Sequence, residues 1–363
     1  MQVIEPILGA VLGIIVLLDI FLLVLHARAD TGVFSRLISA PIWKGFLALS
    51  QALGRWKSFF LSLAGPIILV LIIASWLLLL TLAAALIIHP NLGAAIRAIH
   101  GETPTDFVTA LYVAGHHLDF VAGSDFAPHT SAMHLFHLVS SMIGVALVPL
   151  IITYLLEVYT SLRARNTLGL EVHLHSAESG DAAEVVAALG QQGRFDTGYV
   201  ILSKWAADTT QVKESHHFHP ILFYFRFQEP YYSVSRTSLV SLDTVTLIKC
   251  ALEDNEYGWL KESAAVEQLR RSTIMELKTL ISAFVSDANL DTPLPLDEQT
   301  RTLWARRYAD AVERIRKAGI KTTESGAEHY ISLRAEWDRY ITLLAPKFAY
   351  EMDEIDTALA KVK

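Results

Sequence analysis

Two aspartates, Asp119 and Asp125, enclose a short loop of small and apolar residues. Carboxylate oxygens are the ligands that hard cations such as Ca²⁺ and Mg²⁺ prefer in proteins. The loop is therefore a candidate site for inorganic cations, with Asp119 as the first candidate ligand and Asp125 as its competitor. In the alternative interpretation, Asp119 faces the protein and bonds to His116 or His117. The residues between the two aspartates are Phe120, Val121, Ala122, Gly123 and Ser124.

Histidines are concentrated around this loop, since seven of the 14 lie between residues 89 and 137. Imidazole titrates near physiological pH and is a common Zn²⁺ ligand, so the group is a candidate proton sensor or metal site. The alternative is that these are ordinary polar residues. The candidates closest to the loop or spaced to share a helical face are His116, His117, His134 and His137.

Long apolar segments must position these residues. The chain has 363 residues, 52% of them hydrophobic, and a mean hydropathy of +0.38. Residues 4–25, 59–88 and 131–163 are each long and apolar enough to cross a bilayer. We therefore predict an all-α membrane protein with three transmembrane helices and the lipid bilayer as its partner. The first segment lacks the basic start of a secretory signal, so we expect it to be retained.

One carboxylate, Asp19, lies inside the first apolar segment. Ionisable groups within a transmembrane helix are costly and often functional. The alternative is that Asp19 is close enough to the polar end of the helix to face water or Arg28.

The distribution of basic residues predicts the orientation in the membrane. The positive-inside rule places the N-terminus outside and everything after Arg163 in the cytoplasm, at the cell (inner) membrane. Between the first two segments, residues 32–57 mix apolar and basic side chains and favour a helix in the membrane interface, the alternative being a loop. The basic residues on the inner side are Arg28, Arg36, Lys44, Arg55, Lys57, Arg163 and Arg165, against Arg97 alone on the outer side.

A short helix is predicted just before the loop. Thr103 is a candidate N-cap, with Pro104 at the first helical position and Asp106 in the first turn. The helix would end near His117 after ~13 residues, or ~20 Å, which is too short to cross a bilayer. We therefore expect it to re-enter the membrane, with the negative end of its dipole favouring a cation near Asp119.

The third apolar segment predicts a helix of ~33 residues, or ~50 Å, which must tilt or project beyond the hydrocarbon. Gly144 and Pro149 are candidate hinge residues. One face of this helix is apolar at helical spacing. It either packs against other helices or, in an assembly of several copies, surrounds a common axis. The residues of this face are Val145, Val148, Ile152 and Leu156.

The succession of a short helix, a loop and a long helix resembles the pore module of the tetrameric potassium-channel superfamily, and more narrowly its bacterial two-helix-pore members. The resemblance covers residues 58–166. It implies a homotetramer in which residues 119–125 form the selectivity filter. It also implies that the apolar face of the third helix lines the pore and gates it by dewetting. No cofactor is implied apart from a monovalent or divalent cation bound in the pore.

The loop departs from the family's filter sequence, Thr-Val-Gly-Tyr-Gly-Asp. Aligned with it, residues 120–125 keep only Val121 and Asp125. Ala122 replaces a glycine that allows a left-handed backbone, at a cost of ~1–2 kcal/mol per subunit. Gly123 removes the aromatic ring that packs the filter. We therefore expect a cation channel with weak potassium selectivity, modulated by outer pH or divalent cations. The alternative hypothesis is a non-conducting pore-fold protein that acts as a sensor or scaffold.

The sequence divides into residues 1–57, the pore module 58–166 and a cytoplasmic helical domain, 167–363. No phosphate-binding glycine motif or nucleophile–base pattern occurs, so we predict no enzyme activity. A net charge of −7 disfavours nucleic acid as a partner, and the single cysteine, Cys250, excludes an intramolecular disulfide. After a strand-like piece at 171–175, helices are predicted over 179–192, 197–214, 234–253, 258–287, 297–318, 324–344 and 346–361.

Overall fold

The computed structural model describes residues 3–26, 33–121, 123–285, 296–323 and 325–357. Some sequence predictions lie outside these ranges. They concern Ala122 of the predicted filter, Arg28 as a predicted partner of Asp19, and positions 286–287, 324 and 358–361 of three predicted helices.

The chain forms two compact units. The first contains Met1–Lys44 and Pro66–Tyr159, and the second contains Gly45–Gly65 and Thr160–Lys363. The sequence-based boundaries after residues 57 and 166 therefore both fall inside the second unit.

Three helices are long and apolar enough to cross a membrane, namely Ile4–Leu25, Ala64–Asn91 and Ser131–His175. They correspond to the three apolar segments of the sequence. The prediction of three helices long and apolar enough to cross a membrane is confirmed.

Residues 4–88 are mostly helical. The first span consists of α1 (Ile4–Ile20) and a π-helical turn over Phe21–Leu25. The segment predicted to form an interfacial helix is largely helical, as α2 (Val33–Ser50), and α3 (Lys57–Ser62) precedes the second span, α4 (Ala64–Ile88).

Asp19 on α1 is buried, with 2% of the residue exposed. It accepts a hydrogen bond from Nε1 of Trp76 on α4 at 3.0 Å. The Trp76 ring centroid lies 6.3 Å from that of Tyr154, so the three span helices meet at this point. The interpretation that Asp19 faces water is therefore wrong, because α4 supplies an indole donor at the same depth.

A two-stranded antiparallel sheet flanks the segment that contains the candidate loop. Strand β1 (Ile96–Ala98) pairs antiparallel with β2 (Phe126–Pro128), and helix α5 (Phe107–His117) lies between them in the chain. The sheet fixes the two ends of the segment that carries α5 and the loop. Neither strand was predicted, since three residues are too few for a period-2 pattern.

The last span is a single helix, α6 (Ser131–His175), of 45 residues. It continues beyond the predicted end at residue 163, and the strand-like interpretation of residues 171–175 is wrong. Five residues that alternate between apolar and polar fit little more than one helical turn equally well. Gly144 and Pro149 both lie inside this uninterrupted helix, and their action as hinges stays a prediction.

The second unit is a helical bundle around α9, most of whose residues are buried. α9 packs against α7, α11, α12 and α13, and α8 pairs extensively with α11. The helices are α7 (Ala182–Leu189), α8 (Asp196–Phe218), α9 (Val234–Ala251), α10 (Asp254–Lys261), α11 (Ala264–Phe284), α12 (Glu298–Lys317), α13 (Ala327–Leu344) and α14 (Met352–Ile355).

Two predicted helices of this bundle differ from the structure. The helix predicted over 258–287 is divided, because Ser263 caps α11 by accepting a hydrogen bond from the Val266 amide. The helix predicted over 346–361 is wrong, because Ala349 has a left-handed backbone with φ of 60°. In the described part of that range, the α-helical residues are those of α14 and Thr357.

A buried ion cluster links α9, α12, α13 and the C-terminal segment. Both Asp243 and Asp356 are almost fully buried, and both accept hydrogen bonds or ion pairs from Arg307 and Arg334. Tyr330 donates to Asp243 at 2.7 Å. Because buried charges are costly unless paired, each member of this cluster depends on the others.

Candidate functional site

Helix α5 is capped by Asp106, whose carboxylate accepts a hydrogen bond from the Thr109 amide at 3.0 Å. The cap predicted at Thr103 is therefore wrong, and the helix begins at Phe107. A carboxylate accepts a hydrogen bond from an N-terminal amide, and its negative charge interacts favourably with the positive end of the helix dipole. Asp106 is therefore a stronger cap than a threonine three residues earlier. The predicted end of the helix at His117 is confirmed.

The candidate loop folds back onto the C-terminal end of α5. The amides of Phe120 and Val121 both donate to the carbonyl of Gly115, at 3.0 and 3.3 Å. Asp119 enters this turn with a φ of +55°, and Gly123 has a φ of +74°. The loop therefore shares the helix end, where carbonyl groups would otherwise lack partners.

Two carbonyls of the loop are used within the chain. The Val121 carbonyl lies 3.0 Å from Nδ1 of His116, and the Asp125 carbonyl accepts a hydrogen bond from the Ile99 amide at 2.7 Å. A potassium filter instead directs its carbonyls toward the permeating ion. The described part of the loop is thus shaped by internal hydrogen bonds.

Asp119 is held by the long helix. Its carboxylate accepts a hydrogen bond from the hydroxyl of Ser141 on α6. Among the described contacts, the carboxylate thus bonds to Ser141 and to neither His116 nor His117, whereas the Asp119 amide donates to the His116 carbonyl at 3.0 Å. Asp119 is exposed in the single chain. Asp125 and Ser124 are also exposed, and Ser124 Oγ bonds only to the backbone of Phe126 among described contacts.

Gly144 lets the end of α5 approach α6 closely. A Cβ atom at this position would lie 1.8 Å from the carbonyl oxygen of Leu118. Since no side chain can be accommodated at that distance, Gly144 sets the separation between the loop and α6. Gly144 lies three residues after Ser141, so both contacts fall on the same face of the helix.

The four candidate histidines lie in different environments. His116 and His117 are buried, and the His117 ring lies 4.4 Å from the His137 ring between centroids. His134 is exposed, with Nδ1 at 2.9 Å from the Thr130 carbonyl. Within the described residues no three histidine, cysteine or carboxylate side chains come together in a way that could hold a metal ion. The proposed sensor group is therefore not one cluster.

The predicted pore-lining face of α6 is exposed in the single chain. The exposed fractions are 61% for Val145, 50% for Val148, 52% for Ile152 and 64% for Leu156. The opposite face is buried and includes Leu147, Tyr154 and Val158. The alternative that the first face packs against other helices of the same chain thus finds no support in the described residues.

Comparisons with known proteins yield one distant relative. The chain resembles a membrane protein. It is 20% identical, over 280 residues, to a Bacillus subtilis (strain 168) protein described as uncharacterized membrane protein YdjJ, covering 77% of this chain and 79% of the relative. No family model matches the chain, and no solved structure matches it. The similarity supports a membrane protein and leaves the activity open.

A second set of residues, which sequence analysis missed, lies within the second unit. Arg165, in the C-terminal part of α6, is 5% exposed and donates to the carbonyls of Leu222 and Phe225 at 2.9 and 2.8 Å. Gly65, in the first turn of α4, packs on Phe225, since a Cβ there would meet its ring at 2.7 Å.

Arg226 extends this set toward the start of the second span. Its guanidinium donates to Ser58 Oγ at 2.7 Å and to the Ala349 carbonyl at 3.1 Å. It also lies over the Tyr350 ring, 4.3 Å from the centroid. We call Arg165, Arg226 and the carbonyls they bind the arginine hub. Apart from the Phe227 carbonyl next to Arg226, the partners lie 57 to 168 residues away in the chain, so no local pattern could have predicted the set.

Proposed function

We propose that the protein is a subunit of a tetrameric cation channel with weak potassium selectivity. The observation that carries the proposal is the apolar face of α6 around Val145 and Leu156, which stays exposed in the single chain. Four copies around one axis would bury this face and form an apolar constriction. Lipid would also cover this face, so measurements of assembly and ion flux distinguish a pore lining from a lipid-facing surface.

The loop and its helix support the same proposal. α5 has 11 residues, ~16 Å, which is too short to cross a bilayer and suits a re-entrant helix. Its C-terminal end carries the loop with exposed Asp119 and Asp125. Four such loops would provide rings of carboxylates, which cation channels use for selection.

Contacts within each unit support the proposed orientation. In the first unit, Nδ1 of His89 lies 2.7 Å from Oε2 of Glu5, so the start of the first span and the end of the second belong to one side. In the second unit, residues 45–65 pack with residues 160–363. The basic residues of these segments favour the inner side for the second unit. The N-terminus would then lie outside at the cell membrane.

Weak selectivity follows from the loop's internal bonds. The carbonyls of Val121 and Asp125 bond to His116 and to Ile99, so they are not free to replace the hydration shell of K⁺. The same two bonds favour a second candidate function, a non-conducting pore-fold protein that acts as a sensor or scaffold. Modulation by outer pH belongs to the first proposal, with exposed His134 as the accessible member of the four histidines.

Ion flux from liposomes that contain the purified protein tests the two functions. A channel should give flux of both K⁺ and Na⁺ that rises with the protein-to-lipid ratio. With K⁺ on one side and Na⁺ on the other, its reversal potential should stay close to zero. Protein-free liposomes are the control. Strong K⁺ preference would contradict the argument from the loop carbonyls, and no flux from protein shown to be folded and tetrameric would favour the scaffold.

A further inference from the structure

The C-terminal segment of the described chain runs between the buried ion cluster and the arginine hub. We call residues 349–357 the strap. At one end, the Asp356 carboxylate accepts hydrogen bonds from Arg307 at 2.6 Å and from Arg334 at 3.0 Å. Ile355 beside it is fully buried, and Thr357 donates to the Ser179 carbonyl at 2.9 Å. This end is therefore fixed to the bundle.

The other end of the strap contacts the residues before the second span. The Tyr350 hydroxyl donates to the Phe227 carbonyl at 2.9 Å, and Lys57 Nζ lies 3.1 Å from Glu351 Oε1. The Ala349 carbonyl accepts a hydrogen bond from Arg226, and the same side chain donates to Ser58. Three successive strap residues thus bind the hub or the start of α3.

The piece between these two ends is short and internally braced. Glu351 and Glu354 form a capping box around α14, with the Glu351 amide donating to Glu354 at 2.8 Å. Arg236 donates to the Glu354 carbonyl at 3.0 Å and also contacts the Ser179 carbonyl at 3.3 Å. Because the middle is held rigidly, displacement at one end should reach the other end.

We propose that the strap couples the buried ion cluster to the segment that precedes the second span. Loosening Asp356 would then loosen the contacts of Lys57 and Ser58, and the reverse would also hold, because thermodynamic coupling is reciprocal. The consequence for conduction rests on the proposed function, whereas the coupling itself does not require any ion flux. The bundle and residues 57–58, which both belong to the second unit, would be linked by this segment.

Hydrogen exchange of the purified full-length protein, measured by mass spectrometry, tests the coupling. Asp356→Asn should speed exchange not only in the strap but also in peptides covering residues 57–65 and 224–232, by about two- to tenfold, the range expected for one or two lost hydrogen bonds. Asp310→Asn removes the same charge from an exposed position of α12 and should change neither peptide. Faster exchange confined to the strap and bundle would overturn the proposal.

A second variant covers the case in which Asp356→Asn does not fold. Lys57→Gln changes a side chain that is 40% exposed and should be tolerated. It should speed exchange in residues 351–357, at the far end of the strap. No change there would overturn the coupling. In the double variant Lys57→Gln with Asp356→Asn, effects that simply add would also contradict it, since coupled sites are non-additive.

Discussion

Asp119 owes its position to groups on two different elements. The end of α5 supplies the carbonyl of Gly115 for the turn that follows Asp119, and α6 supplies the hydroxyl of Ser141 for the carboxylate. Gly144 then allows the two elements to approach. The orientation of this carboxylate is therefore a tertiary property, which neither its loop nor its neighbours in the sequence define.

This arrangement makes Asp119 the better candidate for cation interaction in the proposed channel. Asp119→Asn should weaken block or binding by Ca²⁺ or Mg²⁺ in the flux assay, because hard divalent cations prefer carboxylate oxygens. Asp125→Asn is the matched control, since it removes an equal charge from the exposed end of the same loop. If flux and divalent sensitivity stay unchanged in Asp119→Asn, the carboxylate accepts the Ser141 hydrogen bond but does not contact cations.

At the scale of the elements, α11 carries a charged network that should be visible in acid stability. Hydrogen bonding from Arg270, and then from Arg271 and Lys249, lowers the pKa of Glu267 to about 2. A carboxyl group whose folded pKa is depressed stabilises the fold above its unfolded pKa and loses that contribution as pH falls through the folded value. The window therefore runs from about pH 4.5 down to about pH 2.

Glu267→Gln should consequently lower the apparent Tm of the purified protein at pH 6.5, and the difference from the native protein should shrink as the pH falls below about 4.5. The loss at neutral pH should be about 1 kcal/mol or less, because solvent reaches these ion pairs: the side chains of Glu267 and Arg271 are 28% and 72% exposed. Glu262→Gln, at an exposed residue of the preceding turn, is the control. A Tm difference independent of pH would mean that packing, and not the charge, is responsible.

The elements also show where sequence patterns suffice. The spans and α8, α9, α12 and α13 lie close to their predicted positions because long apolar runs and 3.6-residue periodicity act locally. The break at Ala349 was missed because the residue in the left-handed conformation is alanine and not glycine. The hub and the ion cluster were missed because their partners are backbone carbonyls or charges on distant helices.

For the molecule as a whole, the proposed channel requires four copies, because one loop per chain supplies a quarter of a ring. The mass of the purified protein in detergent or nanodiscs should correspond to a tetramer of the 40.2 kDa chain. A stable monomer or dimer would remove the shared axis. The hub and strap would remain in that case, since their contacts lie within one chain.

The exposed face of α6 separates a pore lining from a lipid-facing surface in such a tetramer. Ile152→Asn should increase cation flux several-fold, because four amides at an apolar constriction favour water and oppose dewetting. Leu78→Asn is the matched control: Leu78 is 70% exposed on α4 and Ile152 is 52% exposed on α6. Both substitutions place one amide on an apolar span, but only the first should act on conduction while the tetramer mass stays constant. Equal effects of the two variants would mean that this face of α6 meets lipid, and the axis of the assembly would then have to lie elsewhere.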